Sequence, residues 1–70
     1  MKLTMIATIE AHKLNKRTLA RVNTFPVTIP YGSTLDDVKE MGEVTQFSYL
    51  GELYDCATDR LTAASRPLER

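Results

Sequence analysis

The sequence predicts a small α+β domain in which one short helix packs on a small antiparallel sheet. Three observations carry this prediction: alternation of apolar and polar residues over 2–10, a second alternation over 19–29, and a capped helical pattern over 33–42. The predicted order is β-β-α-β plus one further element. With 70 residues, the chain is predicted to form a single domain, 1–70, whose last residues, 66–70, fray.

The first strand is predicted over residues 2–10, because one parity there is apolar and the other is largely polar. The apolar parity consists of Leu3, Met5, Ala7 and Ile9. Residues 11–18 are polar and basic, so we predict the loop of a long hairpin, although a short helix fits the same residues. The second strand runs over 19–29. Because proline has no N–H for the sheet, Pro26 indicates an edge strand or a bulge.

The helix is predicted from the segment GSTLDDVKEMG. Ser33 or Thr34 can act as the N-cap, with an acidic residue three positions later in either frame. Two aspartates would then lie in the first turn, where the helix dipole favours negative charge, and Gly42 would be the C′ residue. The apolar residues spaced by three are Leu35, Val38 and Met41.

The C-terminal third allows two interpretations. Residues 44–50 predict a strand, but residues 52–65 fit either a hairpin that turns at 57–60 or a helix. Turn-forming residues favour the hairpin, whereas helix propensity and apolar spacing favour the helix. The residues with helical spacing are Leu53, Ala57, Leu61 and Ala64. We favour the hairpin.

Residues suited to catalysis or metal binding are few, so we predict that the chain is not an enzyme and binds no metal or cofactor. His12 and Cys56 are far apart in sequence, without metal-ligand spacing, and could form a base–nucleophile pair only if the fold joined them. Asp36 and Asp37 would point about 100° apart on a helix, so they would not face one reacting centre. Gly32 has no lysine after it to complete a phosphate-binding loop.

The charges are balanced overall but divided along the chain. Residues 1–33 carry a net charge of +4 and residues 34–70 a net charge of −4. Such a division bears on partners rather than on fold. The candidate basic partner-binding face is Lys13, Lys16, Arg17 and Arg21. The candidate acidic face is Glu40, Glu43, Glu52, Asp55 and Asp59. The candidate aromatic anchors are Tyr31, Tyr49 and Tyr54.

Two short stretches of sequence resemble known families. The strings ATIE, FPVTIP and STLDDVKEM resemble, in that order, the small host RNA polymerase inhibitor of T7-like phages. That resemblance implies two strands, a short helix and a further strand, in a protein that docks on a polymerase and blocks it. The chain departs from the pattern through its basic segment 12–21 and its longer C-terminal region. The string VTIPYGSTLDDVKEM also resembles the second strand and helix of ubiquitin-like β-grasp domains.

We therefore expect a cytoplasmic protein-binding module, an inhibitor from a phage or other mobile element that blocks a larger bacterial host protein of the transcription or defence machinery. The cytoplasmic expectation rests on a lone cysteine and the lack of a recognisable leader or membrane-spanning run. The alternatives are a nucleic-acid-binding accessory protein that uses residues 12–21 and a homo-oligomeric structural subunit. We also expect a free edge on the N-terminal strand, open to strand addition by a partner or a second copy.

Overall fold

The computed structural model describes residues 2–22 and 25–68, which form antiparallel strands and one short helix. In chain order the elements are β1 (Leu3–Met5), β2 (Ile9–Leu14), β3 (Val27–Ile29), β4 (Thr34–Met41), β5 (Val44–Tyr49), β6 (Glu52–Ala57), α1 (Thr58–Ala64) and β7 (Ser65–Pro67). An antiparallel sheet with one short helix is thus confirmed. The sheet is larger than expected, with seven strands in this part of the chain.

The strand order across the sheet is β3-β2-β6-β5-β4-β1-β7. Strand β4 belongs to both halves of the sheet, because its first residues pair with β1 and its later residues pair with β5. The β4–β5 register shifts between Asp36 and Lys39, and Asp37 has a φ of 51°. An extra residue of this kind bends a strand and increases its twist. The bulge therefore lets the two halves of the sheet pack around a shared core.

The core lies between the two halves of the sheet and α1. Its most deeply buried large side chains are Met5, Ile29, Leu35 and Phe47. The helix has seven residues, too few to be stable alone, and it is held by burying Leu61 and Ala64 in this core. It ends where the Ser65 hydroxyl donates a hydrogen bond of 2.6 Å to the Leu61 carbonyl oxygen. No helix among the described residues has the length and apolar character that a membrane crossing needs.

The helix predicted over 33–42 is wrong, because these residues form β4. The bulge explains why the pattern suggested a helix. One extra residue between Leu35 and Val38 changes their spacing from two to three, and both side chains still pack with the core. Gly42, with a φ of 78°, serves the turn into β5 instead of ending a helix.

The N-terminal prediction is correct in periodicity and wrong in boundaries. The expected strand over 2–10 is two strands, because the chain bends at residues 6–7 between β1 and β2. The loop expected over 11–18 is shorter, because β2 continues to Leu14. After this shorter loop, Arg21 pairs with Leu14, and Val27–Ile29 then form β3. We call residues 15–22 and 25–26 the arm; Asn23 and Thr24 lie outside the described residues.

Both interpretations of residues 52–65 are partly right. The first half is β6, as the hairpin interpretation requires, and the second half is α1, as the helical interpretation requires. The hairpin that we favoured is therefore wrong after Ala57. We expected residues 66–70 to fray, but the start of that range belongs to β7, where Arg66 pairs with Thr4 of β1. Residues 69–70 lie outside the described residues.

The edges of the sheet are not where we expected them. The N-terminal strand β1 lies between β4 and β7, so the expectation of a free edge there is wrong. The outermost strands are β3 and β7, each of three residues. Pro26 directly precedes β3, which confirms that it marks an edge strand, and Pro67 ends β7. Short edges with prolines offer few free N–H groups for strand addition.

Candidate functional site

His12 and Cys56 are brought close by the fold, but the buried Cys56 thiol is poorly suited to act as a nucleophile. They lie on the neighbouring strands β2 and β6 and line the same surface cavity of about 250 Å³. Burial, with a further contribution from the charge of Asp55, raises the pKa of the Cys56 thiol from 9.0 to about 11. Since the thiolate is the nucleophile, a thiol with this pKa is unreactive at neutral pH.

The other chemical candidates are separated by the fold. The Asp36 carboxylate lies 3.5 Å from the Lys2 Nζ, whereas Asp37 is exposed in the bulge. Gly32 precedes a strand, so no helix N-terminus follows it to bind phosphate. Within residues 2–22 and 25–68, no three metal-binding side chains of the His, Cys, Asp and Glu types come together.

The basic and acidic candidates are partly paired with each other. The Lys13 Nζ lies 3.7 Å from Glu52 Oε1, and the Arg21 Nε lies 3.5 Å from Asp55 Oδ1. These ion pairs link β2 and the arm to β6. The predicted separation into a basic face and an acidic face is therefore wrong for these four residues, because each neutralises a member of the other set.

In the part of the chain that the structure describes, two unpaired basic residues lie next to each other at the tip of the arm, and three more, Lys39, Arg60 and Arg66, are spread over other elements. Lys16 and Arg17 are exposed there and make no ion pair among the described residues. The tip has a defined shape, because Asn15 Oδ1 accepts hydrogen bonds from the backbone N–H groups of Arg17 (2.7 Å) and Thr18 (3.1 Å). Leu19 follows with a φ of 64°, in the left-handed region, and its side chain is half-exposed.

The tip of the arm lies at the same end of the sheet as the turn between β5 and β6. Strands β2 and β6 are antiparallel, with Leu14 opposite Leu53. The residues that follow Leu14 therefore extend toward the start of β6. The turn at Leu50–Gly51 precedes that start directly. Basic and apolar side chains from two separate hairpins therefore lie at the same end of the sheet.

Leu50 departs from the usual chemistry of its turn. Leu50 and Gly51 have φ values of 52° and 82°, as in the type I′ turns that join two strands and favour Asn-Gly. Leucine in this left-handed conformation costs about 1–2 kcal/mol. The Leu50 side chain is also 83% exposed, so packing within the chain does not offset that cost.

Tyr31 is a further large side chain that is exposed, in a turn bonded to Met5 of β1. It is 73% exposed in the turn between β3 and β4. The Ser33 hydroxyl donates a hydrogen bond of 3.3 Å to the Tyr49 hydroxyl, which holds this turn beside the end of β5. We call the tip of the arm together with the turn at Leu50–Gly51 the apolar–basic end. It consists of Lys16, Arg17, Leu19 and Leu50.

The other two candidate tyrosines are structural. Tyr54 is buried, and its ring stacks on Phe47 with the centroids 5.9 Å apart. Tyr49 is half-buried against Tyr54, at a centroid distance of 6.2 Å. Of the three predicted anchors, only Tyr31 is available to a partner.

The remaining acidic candidates lie at the opposite end of the sheet, around the turn between β4 and β5. Glu43 is in that turn, and its carbonyl oxygen accepts a hydrogen bond of 2.9 Å from the Thr58 N–H at the start of α1. Asp59 follows on the first turn of the helix, and Glu40 lies near the end of β4. All three are exposed. These three acidic candidates therefore lie at the end of the sheet opposite the tip of the arm, with Lys39 and Arg60 as their basic neighbours in sequence.

Sequence reasoning missed Leu19, Leu50 and Phe25, which is an exposed side chain on the arm. Leu50 could have been found, because Leu-Gly between two alternating segments occupies a tight turn that rarely carries leucine. Leu19 could not, because its left-handed conformation depends on hydrogen bonds to Asn15. No family model matches the chain, and no curated protein or solved structure matches it.

Proposed function

We propose that this chain is a small non-enzymatic module that binds a larger protein through its apolar–basic end. The observation that carries the proposal is Leu50, an 83% exposed leucine at a φ of 52°. A residue that destabilises its own chain and packs little against it is better explained by contact with a partner. Exposed apolar side chains that group together, rather than occurring singly, are typical of interaction sites.

The chemistry of this end favours a partner with an apolar pocket and acidic surroundings. Leu50 and Leu19 offer exposed apolar side chains for such a pocket. Lys16 and Arg17 would speed association with a negatively charged surface and orient it. Neither basic group would have to break an ion pair among the described residues in order to bind.

A nucleic-acid partner is the alternative, and the pairing of charges argues against it. Lys13 and Arg21 belong to the basic segment, but each already contacts a carboxylate. The two unpaired cations of this segment, Lys16 and Arg17, would give a slope of about −2 in log K against log salt, far less than dedicated DNA-binding proteins show. A homo-oligomeric subunit is the third candidate. No observation among the described residues favours it.

We further propose that docking blocks the partner, a bacterial host protein of the transcription or defence machinery, in the host cytoplasm. Support comes from the resemblance to the small phage inhibitor in ATIE and FPVTIP. The third string, STLDDVKEM, lies in a strand here and not in the short helix that the resemblance implies, so it no longer adds support. Expression of the chain in growing bacteria should slow growth if blocking is its role.

Affinity capture from a bacterial lysate tests the docking surface, with the intact chain as bait. Leu50→Asn should reduce recovery of the specific partner by about tenfold or more, equivalent to about 1.4 kcal/mol. The matched control is Met41→Asn, at a half-exposed apolar residue beside the turn at the opposite end. Equal recovery by Leu50→Asn and the unchanged chain would rule out this end as the docking surface.

Two further measurements separate the alternatives. Fluorescence polarisation with duplex and single-stranded DNA, at about 50 and 200 mM salt, should detect no salt-dependent binding if the partner is a protein. Light scattering should report a monomer. A defined oligomer with no captured partner would favour the structural-subunit hypothesis.

A further inference from the structure

An open groove of about 470 Å³ runs across the outer face of the sheet, beside the apolar–basic end. The tip of the arm forms one wall and the bulge of β4 forms the other, with β5 and β6 beneath. The walls and floor include Leu19, Asp37, Lys39, Gln46, Ser48 and Leu53. Its volume is in the range of small-molecule and short-segment binding sites.

One part of the groove is apolar. Leu14 and Leu53 are directly opposite each other on β2 and β6, and residues paired in this way share a face of the sheet. Leu14 is only 2% exposed, yet it is not part of the main core cluster. It therefore belongs to a second, smaller apolar cluster on the outer face. Leu53 and Leu19 present the accessible surface of that cluster to the groove.

Another part of the groove offers hydrogen bonds. Gln46 and Ser48 alternate along β5, so both side chains point to the outer face. Neither side chain makes a hydrogen bond to another described residue. A carboxamide and a hydroxyl each supply both a donor and an acceptor, which matches the N–H and C=O groups of an extended peptide backbone.

The charge around the groove determines which peptide sequences it would favour. Three carboxylates lie at or beside the groove, but Asp36, opposite Ser48, and Asp55, opposite Gln46, are each paired with a basic side chain. Asp37 is the unpaired one, against Lys39 on the wall formed by β4 and Lys16 and Arg17 on the tip of the arm. The floor spans β4 to β6, about 10 Å at the usual strand spacing, which is wide enough for one extended chain. Acidic side chains would therefore be favoured beside the apolar one.

We infer that this groove binds an extended segment of the partner protein, with an apolar side chain against Leu19 and Leu53 and acidic residues beside it. The inference rests on the proposed function and names the kind of partner sequence that would be recognised. The peptide backbone would hydrogen-bond to Gln46 and Ser48. No strand is added to the sheet edge in this mode, in agreement with the short edges of β3 and β7.

Selection from a random library of displayed peptides on the immobilised chain tests the inference without a known partner. The expected consensus is an apolar residue flanked by Asp or Glu. A synthetic peptide of that consensus should bind Ser48→Arg at least about tenfold more weakly than the unchanged chain. Gln46→Arg is the second variant, and Val44→Arg is the control because Val44 lies on the same strand and face but outside the groove. Thermal unfolding identifies any variant that does not fold.

The outcomes separate this inference from the docking proposal. The groove inference is overturned if the consensus peptides are basic or uncharged, or if no peptide is enriched. It is also overturned if neither arginine variant weakens peptide binding. A dimer that Ser48→Arg dissociates would also overturn it, since the occupant would be a second copy. If Leu50→Asn reduces capture of the partner but Ser48→Arg does not, the docking proposal stands and only the groove inference fails.

Discussion

The Thr45 hydroxyl donates a hydrogen bond to the Thr58 hydroxyl, with 2.8 Å between the two side-chain oxygens. The direction follows from a second hydrogen bond, in which the Thr58 hydroxyl donates to the Gly42 carbonyl oxygen at 2.8 Å. A hydroxyl has one proton, so Thr58 can only accept from Thr45. Because Thr45 is 1% exposed, this chain of hydrogen bonds satisfies a buried group and joins β5 to α1 and to the turn after β4.

Thr58→Val should destabilise the protein more than Thr45→Val. Removing the Thr58 hydroxyl leaves a buried donor at Thr45 without a partner, which costs about 1–3 kcal/mol. Removing the Thr45 hydroxyl leaves Thr58 able to bond Gly42, so the loss should be smaller. Urea unfolding of both variants measures the difference, and equal losses would contradict the assigned direction.

Ala57→Ser should stabilise the protein. Ala57 is the N-cap of α1 and makes no side-chain hydrogen bond to the first turn of the helix. A serine oxygen at an N-cap is worth about 0.5–2 kcal/mol relative to alanine. Ala63→Ser, inside the same helix, is the control and should lower stability slightly because serine is a weaker helix former. Thermal unfolding by circular dichroism compares them; a lower melting temperature for Ala57→Ser would argue against the cap.

Leu50→Asn should raise the free energy of unfolding while it weakens partner binding. Asparagine tolerates the left-handed conformation that Leu50 adopts at a φ of 52°, so the gain should be about 1 kcal/mol. Leu68→Asn, at an exposed leucine outside any turn, should give no such gain. Guanidinium unfolding measures both. A destabilised Leu50→Asn variant would mean that the leucine serves the fold.

Arg21→Gln should cost more stability than Lys13→Gln. The Asp55 side chain is only 13% exposed, so loss of Arg21 leaves a poorly solvated carboxylate, at a cost of about 1–2 kcal/mol after allowance for the exposed arginine. The Lys13–Glu52 pair is exposed on both sides and should contribute about 0–1 kcal/mol. Urea unfolding at low and high salt measures the stability lost by each variant. A larger loss of stability for Lys13→Gln would contradict this ranking.

Stability should fall as the pH rises from about 9 to 11, because the pKa of Cys56 is raised from 9.0 to about 11 in the folded chain. In that window the folded chain keeps a proton that the unfolded chain has lost, so unfolding releases a proton and is favoured by alkali. The loss from this group is about 2–3 kcal/mol in total, and little of it appears below pH 9. Cys56→Ala should flatten this part of the pH profile of urea unfolding. An unchanged slope would exclude the thiol as its source.

Periodicity predicted the strands well where each strand is regular. β1, β5 and the edge next to Pro26 lie within the segments expected from alternation and proline chemistry. β4 failed because a bulge gives Leu35 and Val38 the spacing of a helix, and a bulge depends on pairing with β5, which is not encoded locally. The division of 52–65 into a strand and a helix likewise depends on the packing of α1 against the core.

The candidate site was predicted less well than the fold, because its key relationships cross between strands. Lys13 and Glu52 are distant in sequence, and only the pairing of β2 with β6 brings them together. That ion pair, and the one between Arg21 and Asp55, neutralise two of the four residues of the predicted basic face. Ion pairs across the sheet therefore reduce the division of charge that the sequence shows.

The prolines beside the outermost strands also bear on how this protein behaves when crowded. A fibril grows when identical chains add strands edge to edge, which requires long rows of free N–H and C=O groups. Here β3 and β7 each offer three residues; Pro26 precedes the first row and Pro67 ends the second. The protein could therefore accumulate to high concentration without seeding fibrils, although more than half of its described residues lie in strands.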